Sequence, residues 1–208
     1  MTPPLSPSSA DALLFDLGRV VLDIDFGKVM AIWAGHAGRT VDEVTARFVV
    51  DESFRHHETG HIDDAAFFEN LRNSLGIGIS DAQFLEGWNS IFTGEMPGIA
   101  PLLKRAAAKM PIYAFSNTNP PHVAHFSRTY ADVLGHFREM YLSSSIGLRK
   151  PDAAAFDHVV NAIGVPAQRI VFFDDSAGNI EGARARGLIG VHVTSTEDVA
   201  RTLAEIGI

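Results

Sequence analysis

The chain has 208 residues, of which 46% are hydrophobic and 20% charged, and its 25 acidic and 17 basic side chains give a formal net charge of −8. This composition is typical of a globular protein with a sizeable core, while the negative charge and the lack of a basic cluster argue against nucleic acid as a partner. Because there is no cysteine, disulfides, thiolate metal ligands and cysteine nucleophiles are excluded.

The opening segment, MTPPLSPSSADA, has neither a basic start nor an apolar stretch, so it does not resemble a secretion signal. Nowhere in the sequence do about 18 consecutive apolar residues occur, so we expect no membrane span and no membrane partner. A cytoplasmic location is therefore the default expectation.

Short apolar runs alternate with helical patterns along most of the chain. These runs are ALLFDL (12–17), PIYAFSN (111–117), EMYLSS (139–144), RIVFFDD (169–175) and IGVHVTS (189–195). They lack strict polar alternation, which is typical of parallel strands covered on both faces. The segments between them carry apolar residues at helical spacing. The pattern predicts an α/β fold with a Rossmann-like parallel sheet.

The region from residue 26 to residue 95 breaks this alternation. Its segments KVMAIWAGHAG, VDEVTARFVV, DDAAFFENLRNSLG and SDAQFLEGWNSIF have the pattern of amphipathic helices separated by turn residues. We therefore predict two domains. An α/β core is formed by residues 1–25 and 96–208, and an α-helical cap formed by residues 26–95 is inserted after the first strand.

Polar side chains end several of the predicted strands or follow them closely. They are Asp16, Ser116, Asn117, Lys150, Asp174 and Asp175. In an open parallel sheet, ligands bind beyond the carboxyl ends of the strands, so we expect these groups to converge there. Carboxylates, a hydroxyl and a lysine suit a magnesium ion and a phosphoryl group. Each residue alone could equally cap a helix or close a turn; their combination in one chain favours a site.

Four segments of the chain resemble the motifs of the haloacid dehalogenase superfamily. They are FDLG (15–18), SNT (116–118), RKP (149–151) and FFDDSAGNIEGA (172–183). The resemblance spans nearly the whole chain and includes a helical cap inserted after the first strand. Two further segments, VVLDIDF (20–26) and HETGHI (57–62), are most similar to the subgroup that contains α-D-glucose-1-phosphate phosphatase.

The resemblance implies a catalytic mechanism and a set of site residues. Asp16 would be the nucleophile that attacks phosphorus and forms an aspartyl phosphate, which water later hydrolyses. Mg²⁺ would be held by Asp16, the backbone carbonyl of Gly18 and Asp175, because it prefers hard oxygen ligands. Asp174 would orient neighbouring groups. The implied phosphate-binding residues are Ser116, Asn117 and Lys150, and the lysine would also neutralise charge during catalysis.

The cap offers candidates for contacts with the rest of the substrate. Asp25 lies at the passage from core to cap, and His57 and Glu58 lie in the segment RHHETGHI. For these three residues, a solvated or capping role remains open. The large aromatic residues of this region are expected to pack the cap core; they are Trp33, Phe54 and Trp88.

Gly18 departs from the pattern of most phosphatases of the superfamily. These enzymes carry an aspartate two residues after the nucleophile, and it protonates the leaving group. General acid catalysis typically contributes a factor of about 10²–10⁴. Our hypothesis is that the preferred leaving group is an anomeric sugar hydroxyl, because it is more acidic than a simple alcohol and depends less on an enzymic proton donor.

We therefore predict a Mg²⁺-dependent phosphatase acting on a small phosphorylated metabolite, such as the sugar phosphate α-D-glucose 1-phosphate. One alternative is a metal-independent 2-haloacid dehalogenase, which uses the same nucleophile and also lacks the second aspartate. The acidic pair Asp174 and Asp175 favours the phosphatase. Another alternative is a non-catalytic binding module that has lost turnover through Gly18. Nothing in the sequence indicates an oligomeric state.

Overall fold

The structure, a computed structural model that describes residues 6–7 and 9–208, is built around a five-stranded parallel sheet. In chain order, the strands are β1 (Ala12–Phe15), β2 (Leu22–Ile24), β3 (Phe92–Glu95), β4 (Ile112–Ser116), β5 (Glu139–Leu142), β6 (Ile170–Asp174) and β7 (Ile189–His192). The large sheet has the order β5-β4-β1-β6-β7, and all of its pairs are parallel. The predicted α/β class with a Rossmann-like parallel sheet is confirmed.

The helices cover both faces of this sheet or lie in the insertion between β2 and β3. They are α1 (Phe26–Ala37), α2 (Val41–Thr45), α3 (Glu52–Glu58), α4 (Asp64–Leu75), α5 (Asp81–Asn89), α6 (Ile99–Ala107), α7 (Pro120–Thr129), α8 (Ala131–Leu134), α9 (Ser143–Ile146), α10 (Ala153–Ile163), α11 (Ala177–Ala185) and α12 (Thr196–Glu205). Within the described residues, none of the helices combines the length and apolar character that crossing a bilayer requires. The opening segment lies partly outside the described residues.

The side chains of β1 alternate between the two faces of the sheet, as the pleat of a strand requires. Leu13 and Phe15 belong to a core cluster with residues of α6, α7 and α12, and Phe15 stacks on Phe173 of β6 at 4.6 Å between ring centroids. Ala12 and Leu14 belong to the opposite cluster, with residues of α10 and α11. This burial on both faces explains why the strand has an unbroken apolar sequence.

Helices α1–α5, which we call the cap, have a core of their own. Its largest buried side chains include Trp33, Phe67, Phe84 and Trp88, and the two indole rings stack with centroids 5.7 Å apart. The antiparallel pair β2–β3 connects the cap to the sheet domain. The cap therefore occupies the predicted insertion, while the domain boundaries at residues 25/26 and 95/96 stay a prediction.

Two local features differ from the sequence interpretation. The segment VDEVTARFVV was predicted to be one helix, but α2 ends at Thr45. The valines that follow it, Val49 and Val50, are exposed, so no packing compensates for the weak helix propensity of β-branched residues. Strands β2 and β3 were not predicted, because they contain only three and four residues, too few for periodicity to identify them.

Candidate active site

The carboxyl ends of the central strands bring the predicted polar residues to one cavity of about 320 Å³. Asp16 directly follows β1, Ser116 ends β4 and Asp175 directly follows β6. Strand β1 lies where the strand order reverses, which is the usual position of a ligand site in an open α/β sheet. The predicted residues that line this cavity are Asp16, Gly18, Glu58, Ser116, Asn117, Lys150 and Asp175.

Lys150 is the buried cation at the centre of the site. Its Nζ donates to Asp16 Oδ1 at 2.9 Å, to Asp174 Oδ2 at 2.7 Å and to the carbonyl of Phe115 at 2.7 Å. Burial opposes the charge of this lysine, but the two carboxylates outweigh burial and hold its pKa above the ordinary value. Burial also raises the pKa of Asp16 to about 6, against the opposing effect of Lys150.

The two adjacent acids of the fourth motif have different surroundings. Asp174 is fully buried and accepts hydrogen bonds from Lys150, from Asn179 Nδ2 at 3.0 and 3.1 Å, and from the backbone N–H of Ser176 at 2.8 Å. Asp175 is partly buried and lines the cavity, and its pKa is raised, chiefly by burial and then by Asp174. Asp174 is thus held by protein donors, whereas Asp175 faces the space where a ligand fits.

The acids also form a possible metal site. Asp16, Asp174 and Asp175 each offer a carboxylate oxygen, and these oxygens lie within 4.8 Å of one another. Carboxylate oxygens are the hard donors that Mg²⁺ prefers, and Gly18 also lines the cavity. The donor set therefore fits the cation that the sequence predicts.

The loop that carries Lys150 is fixed by Asn117. Asn117 Nδ2 donates to the carbonyl of Lys150 at 2.9 Å, and Asn117 Oδ1 accepts from the N–H of Lys150 at 2.8 Å. Ser143 holds the next residue in a similar way, accepting from the N–H of Thr118 at 2.8 Å and donating to its carbonyl at 3.0 Å. The Asn117 side chain thus positions the lysine, which leaves its backbone as the predicted phosphate contact.

On the cap side of the cavity, Glu58 makes an ion pair with Arg149. Its Oε2 accepts from Nε and Nη2 of Arg149 at 3.1 and 2.9 Å. Burial raises the pKa of Glu58, and the arginine opposes that effect. Since Arg149 directly precedes Lys150, this pair connects helix α3 of the cap to the loop that carries the buried lysine.

Two predicted substrate contacts are not brought to this cavity. His57 is 1% exposed and stacks on Phe67 at 4.0 Å inside the cap, where its Nε2 is 2.8 Å from Asp64 Oδ1. Asp25 is exposed and caps helix α1 by accepting from the N–H of Gly27 at 2.8 Å. The ring stack and the helix cap account for these two residues without a ligand.

Several cavity residues were not found by sequence reasoning. The wall includes the aromatic residues Phe26, Phe54, Trp88 and Phe92. Phe54 and Trp88, which we expected to pack the cap core, therefore also line the cavity. Asn119 also lines the cavity, and its Oδ1 accepts from Trp88 Nε1 at 3.1 Å. The segment NPPH signals a helix start, but no sequence pattern indicates that this start meets the cap.

The comparisons with known proteins agree with this geometry. The family model for haloacid dehalogenase-like hydrolases matches residues 10–187. The chain is 26% identical over 212 residues to phosphatase MT3486 of Mycobacterium tuberculosis, covering 96% of each protein. It is also 26% identical over 190 residues to drimenol cyclase drtB of Aspergillus calidoustus; that match covers 89% of the chain but only 36% of the fungal protein.

A solved structure is similar over most of the chain. It is a HAD family enzyme of Bacteroides thetaiotaomicron in complex with magnesium and inorganic phosphate. Its TM-score is 0.79 at 26% sequence identity, and the match covers 89% of this chain and 95% of that chain. A carboxylate beside a buried lysine and further acids is an arrangement suited to attack on a phosphoryl group.

Proposed function

Because the chain belongs to the haloacid dehalogenase-like hydrolases and is a phosphatase, we propose that it uses Mg²⁺ and an aspartyl-phosphate intermediate. Its substrate is then a small metabolite that carries a phosphate monoester. The observation that carries this proposal is the position of Lys150, whose Nζ lies between Asp16 and Asp174, with Asp175 beside them.

This arrangement answers the main electrostatic problem of the reaction. Two unit negative charges about 4 Å apart repel by roughly 4 kcal/mol at an effective dielectric constant of about 20, so a carboxylate and a phosphate need positive charge between them. Lys150 supplies part of it. When bound, Mg²⁺ supplies the rest by neutralising charge on the phosphoryl oxygens. The residues that would hold it are Asp16, Asp175 and the backbone carbonyl of Gly18.

The chain's own residues then perform two displacements. Asp16 attacks phosphorus, and the bond from phosphorus to the ester oxygen breaks, so that this oxygen departs with the electron pair of the bond. Water next attacks the phosphorus of the aspartyl phosphate, which releases inorganic phosphate and restores the carboxylate. Ser116, the backbone of Asn117 and Lys150 bind the phosphoryl oxygens during both steps. Asp174 keeps Lys150 charged and in place.

A hexose 1-phosphate such as α-D-glucose 1-phosphate is our specific candidate substrate. The cavity volume of about 320 Å³ lies at the lower end of the range for small-molecule sites, about 300–1,000 Å³, and it suits a ligand of this size. The Glu58 carboxylate in the cavity wall offers an acceptor for a sugar hydroxyl.

The two alternatives to a phosphatase, a 2-haloacid dehalogenase and a non-catalytic binding module, predict different experimental results. A phosphate-release screen over phosphorylated metabolites, with Mg²⁺ and with EDTA, is the direct test. We expect release only with Mg²⁺, and we expect Asp16→Asn to reduce it to background while the exposed control Asp132→Asn retains it. Turnover of chloroacetate that is unaffected by EDTA would support the dehalogenase instead. A folded protein that releases no phosphate from any compound would support the binding module.

A further inference from the structure

An apolar side chain borders position 18, where the acid is missing. A Cβ built on Gly18 would lie 3.2 Å from Cδ1 of Ile24, closer than ordinary van der Waals contact. Ile24 is held by strand β2, which pairs with β3, and its side chain lines the cavity. A side chain at position 18 would therefore meet the end of Ile24, which would have to move by a few tenths of an ångström.

The other ionisable residues of the cavity wall must be considered as replacements. Among the described residues that line the cavity, they are Asp16, Arg19, Glu58, His122, Lys150 and Asp175. Asp16 and Asp175 serve as nucleophile and metal ligand in the proposed function. The three N–H groups of Lys150 already have three acceptors. Arg19 cannot act as an acid, because a guanidinium does not lose its proton in proteins.

Both ring nitrogens of His122 already have hydrogen-bond partners. Its Nε2 donates to the carbonyl of Trp88 at 3.0 Å, and its Nδ1 is 3.1 Å from Asn119 Nδ2, which makes Nδ1 the acceptor. Its ring stacks on Trp88 at 4.8 Å. Nε2 thus joins α7 to the cap, while Nδ1 is bound by Asn119 at the start of α7. Burial lowers the pKa of His122 to about 3.

Glu58 is the remaining carboxyl group. Oε2 accepts two hydrogen bonds from Arg149, and such a charge-assisted pair favours the carboxylate over the protonated acid. Burial has the larger effect and leaves the pKa of Glu58 raised, with Arg149 opposing it. Because the ion pair is specific and well formed, we assign Glu58 to the contact between cap and core, and the experiment below tests that assignment.

Much of the cavity wall is apolar, and apolar surface makes charge on a leaving oxygen costly. In phosphoryl transfer the attacking and leaving oxygens lie roughly in line with phosphorus, so the leaving oxygen points away from Asp16. The wall of the cavity includes Ile24, Phe26, Trp88 and Phe92. Their apolar surfaces do not solvate an oxyanion, so an ester that leaves as a strongly basic alkoxide reacts slowly there.

Resting on the proposed phosphatase activity, we infer that the enzyme acts on phosphate monoesters whose leaving hydroxyl is acidic, such as an anomeric, enolic or phenolic hydroxyl. Asp16 forms its bond to phosphorus, and the electron pair of the breaking bond stays on the leaving oxygen. This oxygen departs as an oxyanion and takes its proton from water. Esters of ordinary primary alcohols are then poor substrates.

The test compares phenyl phosphate with benzyl phosphate. The two esters are similar in size and apolar character, but phenol is far more acidic than benzyl alcohol. We measure kcat/KM with Mg²⁺, because it reports the formation of the aspartyl phosphate and not its later hydrolysis. We expect phenyl phosphate to be favoured by a factor of about 10²–10⁴, the usual contribution of a general acid. Glucose 1-phosphate should likewise exceed glucose 6-phosphate.

A pair of variants installs the missing donor. Ile24→Ala opens the space beside position 18, and Gly18→Asp in that background supplies a carboxyl group. We expect the preference for phenyl phosphate to shrink by a factor of about ten or more. Gly18→Asn in the same Ile24→Ala background has the same shape without the acid, and it should keep the preference. The wild-type comparison stands even where these variants fail to fold.

Other results would overturn the inference. Suppose that the two esters had equal kcat/KM values and that Asp16→Asn abolished both activities. The proposed phosphatase function would then stand, but the inferred requirement for an acidic leaving hydroxyl would be wrong. For Glu58→Gln we expect the same fractional loss with both esters. A loss confined to benzyl phosphate would identify Glu58 as a proton donor and would also overturn the inference. No phosphate release from any ester with Mg²⁺ would overturn the proposed function as well.

Discussion

At the scale of single residues, Lys150 joins stability to catalysis. It is 1% exposed, and its Nζ contacts Asp16 and Asp174, which are themselves buried. Burying charges is costly, and removing one partner of such a group leaves the others uncompensated. The surrounding strand ends tolerate three buried charges only because the lysine sits between the acids.

We therefore expect Lys150→Met to lower the free energy of unfolding by about 3–5 kcal/mol. The replacement is of similar length, but it leaves the carboxylates of Asp16 and Asp174 without a cation. Urea denaturation at pH 7 without added metal measures the loss. The control is Lys104→Met on the exposed face of α6, which should be nearly neutral. A similar loss in both variants would contradict the role of the buried ion group.

His122 makes stability depend on pH. Burial lowers the pKa of this histidine to about 3. Between about pH 6.5 and 3, His122 therefore binds a proton in the unfolded chain but not in the folded protein. Stability is full above about pH 6.5 and falls as the pH drops, by at most about 1.4 kcal/mol per pH unit from this group. His57 and His125 also face it and disfavour its protonation.

The prediction is that His122→Gln reduces the slope of unfolding free energy against pH between about pH 6 and 4.5. Urea denaturation at several pH values gives the slope for each variant. His158→Gln on the exposed face of α10 should retain the slope of the wild-type protein. If both variants lost the same slope, or neither did, the neutral state of buried His122 would not be the cause.

The residues of the site were predictable to different extents. Asp16, Ser116 and Asp175 lie at ends of parallel strands, and the sequence identifies those ends because buried strands have unbroken apolar runs. His57 lies in the cap and Asp25 at its border, where function depends on the direction in which each helix faces. Amphipathic spacing shows that a helix has a buried side, but not whether that side meets a core or a ligand.

At the scale of elements, helix α12 illustrates how local hydrogen bonds define an end. Oδ2 of Asp198 accepts from the N–H and hydroxyl of Thr194, both at 2.8 Å, and from the N–H of Ser195 at 3.2 Å. These contacts hold the pKa of Asp198 well below its usual range. Ser195 is the N-cap of this helix, which begins at Thr196, while the role of Asp198 depends on a turn that no periodicity describes.

We expect Asp198→Ala to destabilise the protein by about 1 kcal/mol, as the loss of a helix cap does. Because the pKa is lowered in the folded state, this contribution is present above the ordinary pKa and is lost as the pH falls below about 4. Urea denaturation at pH 7 and at lower pH measures both effects. Glu205→Ala, at the exposed end of the same helix, is the control. If the difference in unfolding free energy between the wild-type protein and Asp198→Ala grew at low pH, the capping role would be contradicted.

At the scale of the whole molecule, the cavity exists only because distant segments meet. Glu58 and Arg149 are 91 positions apart, and Trp88 and Asn119 are 31 positions apart. The alternation of strands and helices predicted the sheet and the site at its edge. It could not predict the aromatic wall, because the docking of cap on core is set by tertiary contacts that leave no local pattern in the sequence.

A metal that binds the folded protein must also stabilise the whole molecule. At a concentration of about 100 times Kd, a ligand adds about 2.7 kcal/mol to the free energy of unfolding. For a domain of about 150–250 residues, this corresponds to a rise in Tm of roughly 5–11 °C. We expect Mg²⁺ to raise Tm by this mechanism and EDTA to reverse the rise. The measurement is a thermal melt at increasing Mg²⁺ concentration.

The acids of the site decide whether that stabilisation is specific. Asp175→Asn removes a carboxylate from the proposed metal site, so its Tm should respond little to Mg²⁺, and the same substitution relieves repulsion from Asp174, so the metal-free protein should remain folded. Asp132→Asn, at an exposed position of α8, should respond like the wild-type protein. An equal response in all three proteins would mean that Mg²⁺ acts on general surface charge and does not join Asp16 to Asp175.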